Sequence, residues 1–335
     1  MTELMTRARA GDGDAFRELV EPHRRELLVH CYRMLGAFQD AEDALQDTLL
    51  AAWHGFGRFE GRASLRTWLY RIATNRCLNT LRSAARRPAT AWDVPDTVPP
   101  ERTRLGEVTW LEPFPDARLG PEDRYDRAES VSLAFVAALQ TLPPRQVAVL
   151  ILRDVLDFPA AEVATMLDTS TDAVKSTLKR ARGTLDRQRP TREPPPPPGS
   201  PTERAVAAGF ARAWEAADLT ALVALLTDDV FMSMPPMPHE YEGRDLVLTF
   251  CATLFDAGRR FTLIPTRANG QPAFGAYLHT PTGSPGVGLY VLTLSGTHIQ
   301  ALTRFESTLL PHFALPSALP EGDRTRCHAA RSDSS

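Results

Sequence analysis

A run of five prolines at residues 194–198, followed by Gly199, Ser200 and Pro201, marks the clearest domain boundary in the sequence. Proline fixes φ near about −65° and has no backbone N–H, so neither a helix interior nor a central strand passes through such a run. The segment favours an extended polyproline spacer. Before it, apolar residues recur at steps of three and four, as in helices, and after it helical patterns give way to strand patterns.

These patterns predict a multidomain fold in which two all-α domains precede an α+β domain. The first all-α domain is expected at residues 1–90, with breaks at Gly36 and around residues 55–61, and the second at residues 121–190. Between them, residues 91–120 predict a flexible acidic linker, since residues 93–129 carry a net charge of −5. A Pro-rich linker (191–201), an α+β domain of helices followed by an antiparallel sheet (202–318) and a disordered tail (319–335) complete the predicted order. The predicted strands are 261–267, 273–279, 287–294 and 297–305.

Composition excludes several classes of protein. No apolar stretch approaches the roughly 20 residues of a membrane helix, and the N-terminus lacks a signal-peptide pattern, so we expect a cytoplasmic protein without membrane contact. The four cysteines lie far apart without metal-ligand spacing, so we expect no metal and no cofactor, and interpret the cysteines as incidental core residues.

The net charge of −3 conceals two basic blocks. Residues 58–87 carry +7 and residues 170–190 carry +4. Two separate positive surfaces indicate two contacts with a polyanion, although a solvated helix face explains either block alone.

An acidic helix is predicted at residues 40–53, DAEDALQDTLLAAW. Steps of three and four place Asp40, Asp43 and Asp47 on one face, with Glu42 and Gln46 beside them, while Ala41, Ala44, Leu45, Thr48, Leu49 and Ala52 face inward. Such a ridge suits docking on a basic partner, but carboxylates near a helix N-terminus also stabilise the helix dipole.

The block that follows combines a basic track with aromatic residues, as a site for an unpaired nucleic-acid strand requires. We expect Arg62, Arg66, Arg71 and Arg76 to meet phosphates. Phe59 and the loop 61–64, including Ser64, form a candidate base pocket. Trp68, Leu69 and Ile72 follow a helical stripe and are interpreted as core.

A helix-turn-helix is predicted at residues 142–185. A first helix opens at a proline-marked start near residue 143, a short second helix covers 160–166, and Thr169 or Ser170 caps a third helix. That helix turns Val174, Leu178 and Ala181 inward and leaves a basic face for the major groove. The candidate DNA contacts on it are Thr171, Lys175, Ser176, Lys179, Arg180 and Arg182.

These three segments, in this order, resemble regions 2.2, 2.3–2.4 and 4.2 of the sigma-70 family, and in particular its extracytoplasmic-function (ECF) members. The match extends through residues 59–76, FEGRASLRTWLYRIATNR, and a linker motif at 110–116, WLEPFPD. The resemblance implies that the acidic helix binds the clamp helices of the polymerase β′ subunit. It also implies that Asn75 and Arg76 touch the minus-ten element and that Lys175 and Ser176 read the minus-thirty-five element. By the same resemblance, Arg180 and Arg182 are candidate phosphate contacts.

The partners implied are core RNA polymerase (β′ clamp helices and β flap) and promoter DNA. A small-molecule ligand or an anti-sigma factor stays open as a further partner.

The C-terminal part resembles the SnoaL-like branch of the NTF2-like fold, a cone of helices against a curved sheet. The candidate pocket residues are Trp214, Phe231, Met234, His239, Tyr241, Phe250, Phe274 and Tyr290, although core packing explains the aromatic residues better. His239, Asp245 and His298 are acid–base candidates, but no pair is brought together by spacing, so no catalytic residue is assigned. We expect this domain to regulate the others in cis.

Two alternatives remain open. A ligand-sensing helix-turn-helix regulator explains residues 142–189 and the C-terminal domain, but leaves the acidic helix and the block 59–76 without a role. An NTF2-like enzyme with a DNA-binding appendage rests on fold analogy alone.

Overall fold

A computed structural model describes residues 2–83, 101–105, 110–120, 128–188 and 193–320. The chain forms two compact units. The helical unit comprises Met1–Pro88, Trp110–Phe114 and Arg118–Thr191, and the C-terminal unit comprises Ala89–Thr109, Pro115–Ala117 and Arg192–Ser335. None of the helices in the described ranges is long and apolar enough to cross a membrane.

The helical unit contains nine α-helices in its described residues. They are α1 Thr2–Arg9, α2 Gly13–Val20, α3 Arg24–Leu35, α4 Phe38–Gly55, α5 Leu65–Ser83, α6 Leu133–Leu139, α7 Pro144–Leu150, α8 Ala160–Met166 and α9 Thr171–Gln188. A π-helical turn, Ile151–Val155, continues α7, and a 3₁₀ turn, Phe56–Arg58, follows α4. The predicted all-helical character of this part is confirmed.

Gly36 ends α3 in the left-handed conformation, with φ of 76°, and its N–H donates to the carbonyl of Tyr32 at 2.7 Å. A Cβ atom at this position would lie 3.3 Å from the carbonyl oxygen of Trp110 and would collide with Gln140, so only glycine fits. The predicted break at Gly36 is therefore confirmed, and the tight turn brings α4 back against α3.

The core of the helical unit is built around α3. Every residue of this helix from Leu27 to Leu35 is buried, and both α4 and α5 pack against it. The core includes the guanidinium of Arg33, which donates from Nη2 to Ser130 Oγ at 2.7 Å and from Nε to the Ser130 carbonyl at 3.2 Å. These bonds satisfy part of a buried charge whose desolvation would otherwise be costly.

The structure corrects the flexible linker predicted for residues 91–120 within residues 110–120, where apolar side chains are buried. Phe114 is fully buried, with its ring 4.9 Å from Tyr32 and 5.3 Å from Phe38. Glu112 Oε2 accepts from the Gln39 N–H at 3.0 Å, and the Glu112 carbonyl accepts from the Tyr32 hydroxyl at 2.9 Å. Truncating a buried Phe to Ala costs about 3–5 kcal/mol, so this contact orders the segment. The linker was predicted from the charged residues and prolines of this segment. That prediction did not take into account the apolar residues between them.

The C-terminal unit packs helices against one sheet. Its α-helices are α10 Pro201–Glu215, α11 Leu219–Leu225 and α12 Arg244–Asp256, and its strands are β1 Arg104–Leu105, β2 Leu226–Met234, β3 Met237–Glu242, β4 Phe261–Ala268, β5 Gln271–Leu278, β6 Ser284–Ser295, β7 His298–Phe305 and β8 Ala318–Leu319. The strand order is β1-β3-β2-β7-β6-β5-β4, with β8 paired to β6. The predicted helix-then-sheet order is confirmed.

The sheet differs from the prediction in two ways. It is mixed and not antiparallel, because β2 runs parallel to β7. The strands β2 and β3 were also not predicted, because Pro235, Pro236 and Pro238 interrupt their alternation. The strand β1 comes from the predicted linker and pairs with the edge strand β3, with Arg104 opposite Glu240.

The described cysteines are core residues, as predicted. Cys31, Cys77 and Cys251 are buried and free. Within the ranges that the structure describes, no group of three or more His, Cys, Asp or Glu residues could hold a metal ion.

His30 supplies a pH-dependent contribution to the stability of the helical unit. The side chain is fully buried, and its Nε2 lies 2.9 Å from the hydroxyl of Thr74. Burial, reinforced by the nearby charge of Arg33, lowers the pKa of His30 from 6.5 to about 3. The unfolded chain therefore binds a proton between these values that the folded chain does not.

We expect the free energy of unfolding to fall as the pH drops below about 6.5, by about 2 kcal/mol at about pH 5. Urea unfolding of the wild type and of His30→Leu measures this, because the variant should lose that part of the pH dependence. His54→Leu, at an exposed position of α4, should behave as the wild type. Equal pH dependence in His30→Leu and the wild type would contradict the assignment.

Candidate functional site

Helix α4 keeps a stripe of side chains exposed, which we call the docking stripe: Asp43, Gln46, Asp47 and Leu50. The first three are exposed, and the Leu50 side chain is 55% exposed. The opposite face buries Ala41, Ala44, Leu45, Thr48 and Ala52, as predicted. Leu50 was missed by sequence reasoning, although its place seven residues after Asp43 put it on the outer face.

The two other predicted docking residues lie at the edge of the docking stripe. Asp40 is half-buried at the start of α4. Glu42 accepts from Arg118 Nη2 at 2.6 Å, so its charge is paired inside the helical unit. An exposed apolar side chain at the end of a stripe with two exposed carboxylates suits a partner surface that is basic and has an apolar patch beside the basic residues.

Helix α5 forms one wall of an open groove of about 450 Å³. The groove is lined by Ala51, Trp68, Arg71, Ile72, Asn75, Arg76 and Asn79. The structure thus brings together Arg71, Asn75 and Arg76, which were all predicted as nucleic-acid contacts. It also adds Trp68 and Ile72, which were assigned to the core but are only half-buried. Their spacing of three and four residues from the basic side chains was the signal that could have identified them.

The residues predicted to form a base pocket are not among those that line this groove. Phe59 is buried. Its ring centre is 5.7 Å from that of Phe56, on which it stacks, and 4.9 Å from that of Trp68, so Phe59 packs against the indole. Arg62 and Ser64 are exposed in the loop before α5. Ser64 Oγ accepts from the Thr67 N–H at 3.0 Å, which begins the helix.

Arg66 lies outside the residues that line the groove. Its guanidinium is 4.8 Å from the ring centre of Tyr70 and 4.7 Å from that of Phe158, and its Nε donates to Glu26 Oε2 at 2.9 Å. Burial alone would raise the pKa of Glu26, but hydrogen bonds from His23 and Arg66 outweigh it and lower that pKa. Arg66 thus joins α5 to the turn before α8.

The helix-turn-helix consists of α7, its π-helical turn, α8 and α9. Ser170 Oγ accepts from the Ala173 N–H at 3.1 Å, so Ser170 is the N-cap of α9. Val174, Leu178 and Ala181 are buried, as predicted. Lys175, Ser176, Lys179 and Arg180 are exposed and Thr171 is half-buried. Arg182 is exposed but holds the carboxylate of Asp154 with two hydrogen bonds of 2.8 and 2.6 Å.

Six of the eight candidate pocket residues belong to the hydrophobic core of the C-terminal unit: Trp214, Met234, Tyr241, Phe250, Phe274 and Tyr290. Aromatic rings among these residues pack in pairs, with centroids 5.1 Å apart for Trp214 and Tyr290 and 5.3 Å apart for Tyr241 and Phe250. Phe231 and His239 are half-buried. Burial raises the pKa of Tyr241 to about 12 and lowers that of His239.

The remaining acid–base candidates are solvent-exposed. Asp245 lies at the start of α12 and His298 at the start of β7. The interpretation of the aromatic residues as core is therefore the one that the structure supports.

All three parts of the chain match known protein families. Residues 19–87 match Sigma-70 region 2, residues 132–185 match Sigma-70, region 4, and residues 207–303 match the SnoaL-like domain. The helical unit, with its docking stripe and helix-turn-helix, and the C-terminal sheet thus define a sigma-70-type transcription initiation factor with a SnoaL-like domain.

Individual relatives show to which group of sigma-70 factors the chain belongs. The ECF RNA polymerase sigma factor SigG of Mycobacterium tuberculosis (strain ATCC 25618 / H37Rv) is 44% identical over 322 residues, which cover 93% of this chain and 86% of SigG. SigM of the same strain is 35% identical over 185 residues, covering 55% of this chain and 82% of SigM. The chain belongs to the ECF RNA polymerase sigma factors.

A solved structure has a similar fold. The crystal structure of the M. tuberculosis ECF sigma factor SigJ covers 86% of this chain and 95% of its own, with a TM-score of 0.57 and 21% identity. At that identity the likeness shows a common fold.

Trp68→Ala should lower the fraction of open promoter complexes about tenfold, because stacking of a base on an aromatic ring contributes about 1–3 kcal/mol. Permanganate reactivity of unpaired thymines at a promoter used by the wild type measures that fraction. Trp68→Phe, which keeps an aromatic surface over Phe56 and Phe59, should retain most of the activity. Unchanged opening by a folded Trp68→Ala variant would exclude the groove as the strand-capture site.

Proposed function

We propose that this ECF sigma factor divides its work among three surfaces. The docking stripe of α4 binds core RNA polymerase at the β′ clamp helices, the α5 groove captures the minus-ten element, and α9 reads the minus-thirty-five element while region 4 contacts the β flap. The protein acts in the cytoplasm, where core polymerase is, and carries out no catalysis of its own.

One observation carries this proposal: the half-buried indole of Trp68 shares a groove with the exposed Arg71, Asn75 and Arg76. An aromatic surface beside guanidinium groups fits a strand whose bases are unstacked, because the ring stacks a base while the arginines neutralise its phosphates. A protein that binds only duplex DNA needs no such groove. Promoter opening needs it.

The face of α9 supports duplex recognition at a second site. Lys175, Ser176, Lys179 and Arg180 are exposed on a helix whose other side is buried by three apolar residues. A single good base contact discriminates by about 1–3 kcal/mol, so one short helix gives modest specificity. Binding to polymerase through the docking stripe adds the missing affinity by making the DNA contacts intramolecular.

A ligand-sensing helix-turn-helix regulator is the alternative that keeps a role for α9. It predicts tight binding to duplex DNA without polymerase, whereas the proposal predicts promoter-specific transcription only with core polymerase. An enzymatic role for the C-terminal unit would require turnover that His239→Ala or Asp245→Ala abolishes.

Charge reversal of the docking stripe tests the first surface. Asp43→Arg with Asp47→Arg should abolish binding to core polymerase in a pull-down, since two attractive charges become repulsive, and should leave the far-UV circular dichroism spectrum unchanged. The matched control is Asp14→Arg with Glu18→Arg, two exposed acids of α2, which should bind as the wild type does. Retained binding by the α4 variant would remove the docking assignment.

We propose in addition that the SnoaL-like domain regulates these surfaces in cis through the segment that joins regions 2 and 4. Within the C-terminal unit, Arg267 donates to Asp116 Oδ2 at 3.2 Å and to Glu203 at 2.8 and 3.1 Å. The Gly270 N–H donates to Asp116 Oδ1 at 2.7 Å.

The same segment also pairs with the sheet. Pro115 forms a β-bridge with Ala268 at the end of β4, and β1 pairs with β3. A domain that holds the segment at both edges of its sheet can restrict the paths that this segment takes. In this proposal, a ligand or an anti-sigma factor acts by changing the contacts between the segment and the sheet.

Arg267→Met should raise transcription several-fold at a fixed concentration of core polymerase, because it removes the guanidinium donor to Asp116 and so weakens a contact that Gly270 still maintains. The docking stripe and both DNA surfaces stay intact in this variant. Run-off transcription with full-length protein is the measurement. Arg212→Met, which removes an exposed arginine from α10, is the matched control and should not change activity. Equal activity in the two variants would argue against regulation through this contact.

A further inference from the structure

Arg182 was expected to contact a DNA phosphate, but its side chain is engaged within the helix-turn-helix. Nε donates to Asp154 Oδ2 at 2.8 Å and Nη2 donates to Oδ1 of the same carboxylate at 2.6 Å. The two residues are 28 positions apart, and the paired side chains are 57% and 27% exposed. The contact therefore lies at the rim of the domain and joins α9 to the end of the α7 segment.

The π-helical turn places Asp154 at this position. In the turn, the Leu156 N–H donates to the Ile151 carbonyl at 3.0 Å, five residues back, and the Phe158 N–H donates to the Leu152 carbonyl at 2.9 Å. One extra residue per turn rotates the side chains that follow, and such turns recur at functional positions. The preceding residue, Arg153, donates to the Phe158 carbonyl and so closes the turn.

The fork-like contact supplies an orientation that apolar packing does not. Val174, Leu178 and Ala181 bury one side of α9 and set its depth against α7, but dispersion contacts are weakly directional. A bidentate guanidinium–carboxylate pair is planar and directional. Arg182 lies seven residues after Lys175, two turns along the same flank of α9, so fixing Arg182 fixes how the helix presents Lys175, Ser176 and Lys179.

We infer that Asp154 and Arg182 form a positioning pair that sets the rotation of α9 for reading the minus-thirty-five element, and that Arg182 is not a phosphate contact. This inference rests on the proposed function of α9. The basic residues of α9 then have two different roles. Lys175, Lys179 and Arg180 face the DNA, whereas Arg182 fixes the orientation of the helix that carries them.

Asp154→Asn distinguishes the two roles because they predict changes of opposite sign. If the pair positions α9, the variant loses about tenfold in affinity for specific DNA, the equivalent of one good base contact, and keeps its affinity for unrelated DNA. If Arg182 is a phosphate contact that Asp154 restrains, the variant binds both DNAs more tightly, and its salt dependence steepens by about one phosphate contact.

The experiment uses the full chain with core polymerase. The probes are 40-base-pair duplexes that the wild-type holoenzyme selects from a randomised pool, compared with one unselected duplex. Failure of the wild type to enrich any motif contradicts the proposed function and this inference with it. Enrichment by the wild type followed by unchanged or tighter binding of Asp154→Asn to the selected DNA overturns the positioning role alone.

A charge swap separates positioning from a loss of charge. Arg182→Asp alone should lose specific binding, and Arg182→Asp combined with Asp154→Arg should recover most of it, although the swap moves the positive charge to another element. Failure of the swap to bind better than Arg182→Asp also overturns the inference. Thermal unfolding midpoints, which should match the wild type for this rim contact, show that each variant is folded.

Discussion

The burial of α3 determines which surfaces the helical unit can offer to partners. Because every residue from Leu27 to Leu35 is buried, α4 and α5 each have to turn a face toward this helix and keep only the remainder exposed. In α4 the remainder is the acidic docking stripe with Leu50 at its end. In α5 apolar residues lie around more of the helix, so Trp68 and Ile72 stay partly accessible beside Arg71, Asn75 and Arg76. The two surfaces that we propose for polymerase binding and strand capture thus follow from the packing of one hydrophobic core.

The segment between regions 2 and 4 takes part in both units. Its apolar residues Leu111 and Phe114 are buried in the helical unit, where Glu112 accepts from the N–H of Gln39 at the start of α4. A carboxylate at the N-terminus of a helix satisfies a backbone donor and stabilises the helix dipole. Two residues after Phe114, Asp116 is bound by Arg267 and Gly270 in the C-terminal unit. Residues 110–114 of this segment thereby belong to the core of the helical unit, and residues 115–117 belong to the C-terminal unit.

The features that the sequence predicted correctly are those determined by helical periodicity or by a single residue type. The acidic face of α4, the turn at Gly36 and the inward stripe Val174, Leu178 and Ala181 all follow from helical spacing or from the left-handed conformation that glycine alone adopts easily. Sequence reasoning failed where long-range partners decide. Nothing local indicates that Arg66 meets Phe158, that Arg182 meets Asp154, or that β2 pairs in parallel with β7, because each depends on a residue tens of positions away. Trp68 shows a different limit, since an apolar residue at helical spacing can serve both as core and as a wall of a groove.

If the docking stripe, the α5 groove and α9 act as we propose, the protein directs core polymerase to specific start sites. Mapping RNA 5′ ends made on fragmented genomic DNA by core polymerase, with and without the purified full-length protein, tests it most directly. We expect a new set of starts that share two upstream sequence elements at a constant spacing, with single-stranded thymines at the downstream element. No starts beyond those of core polymerase alone, or starts without a shared upstream sequence, would contradict it.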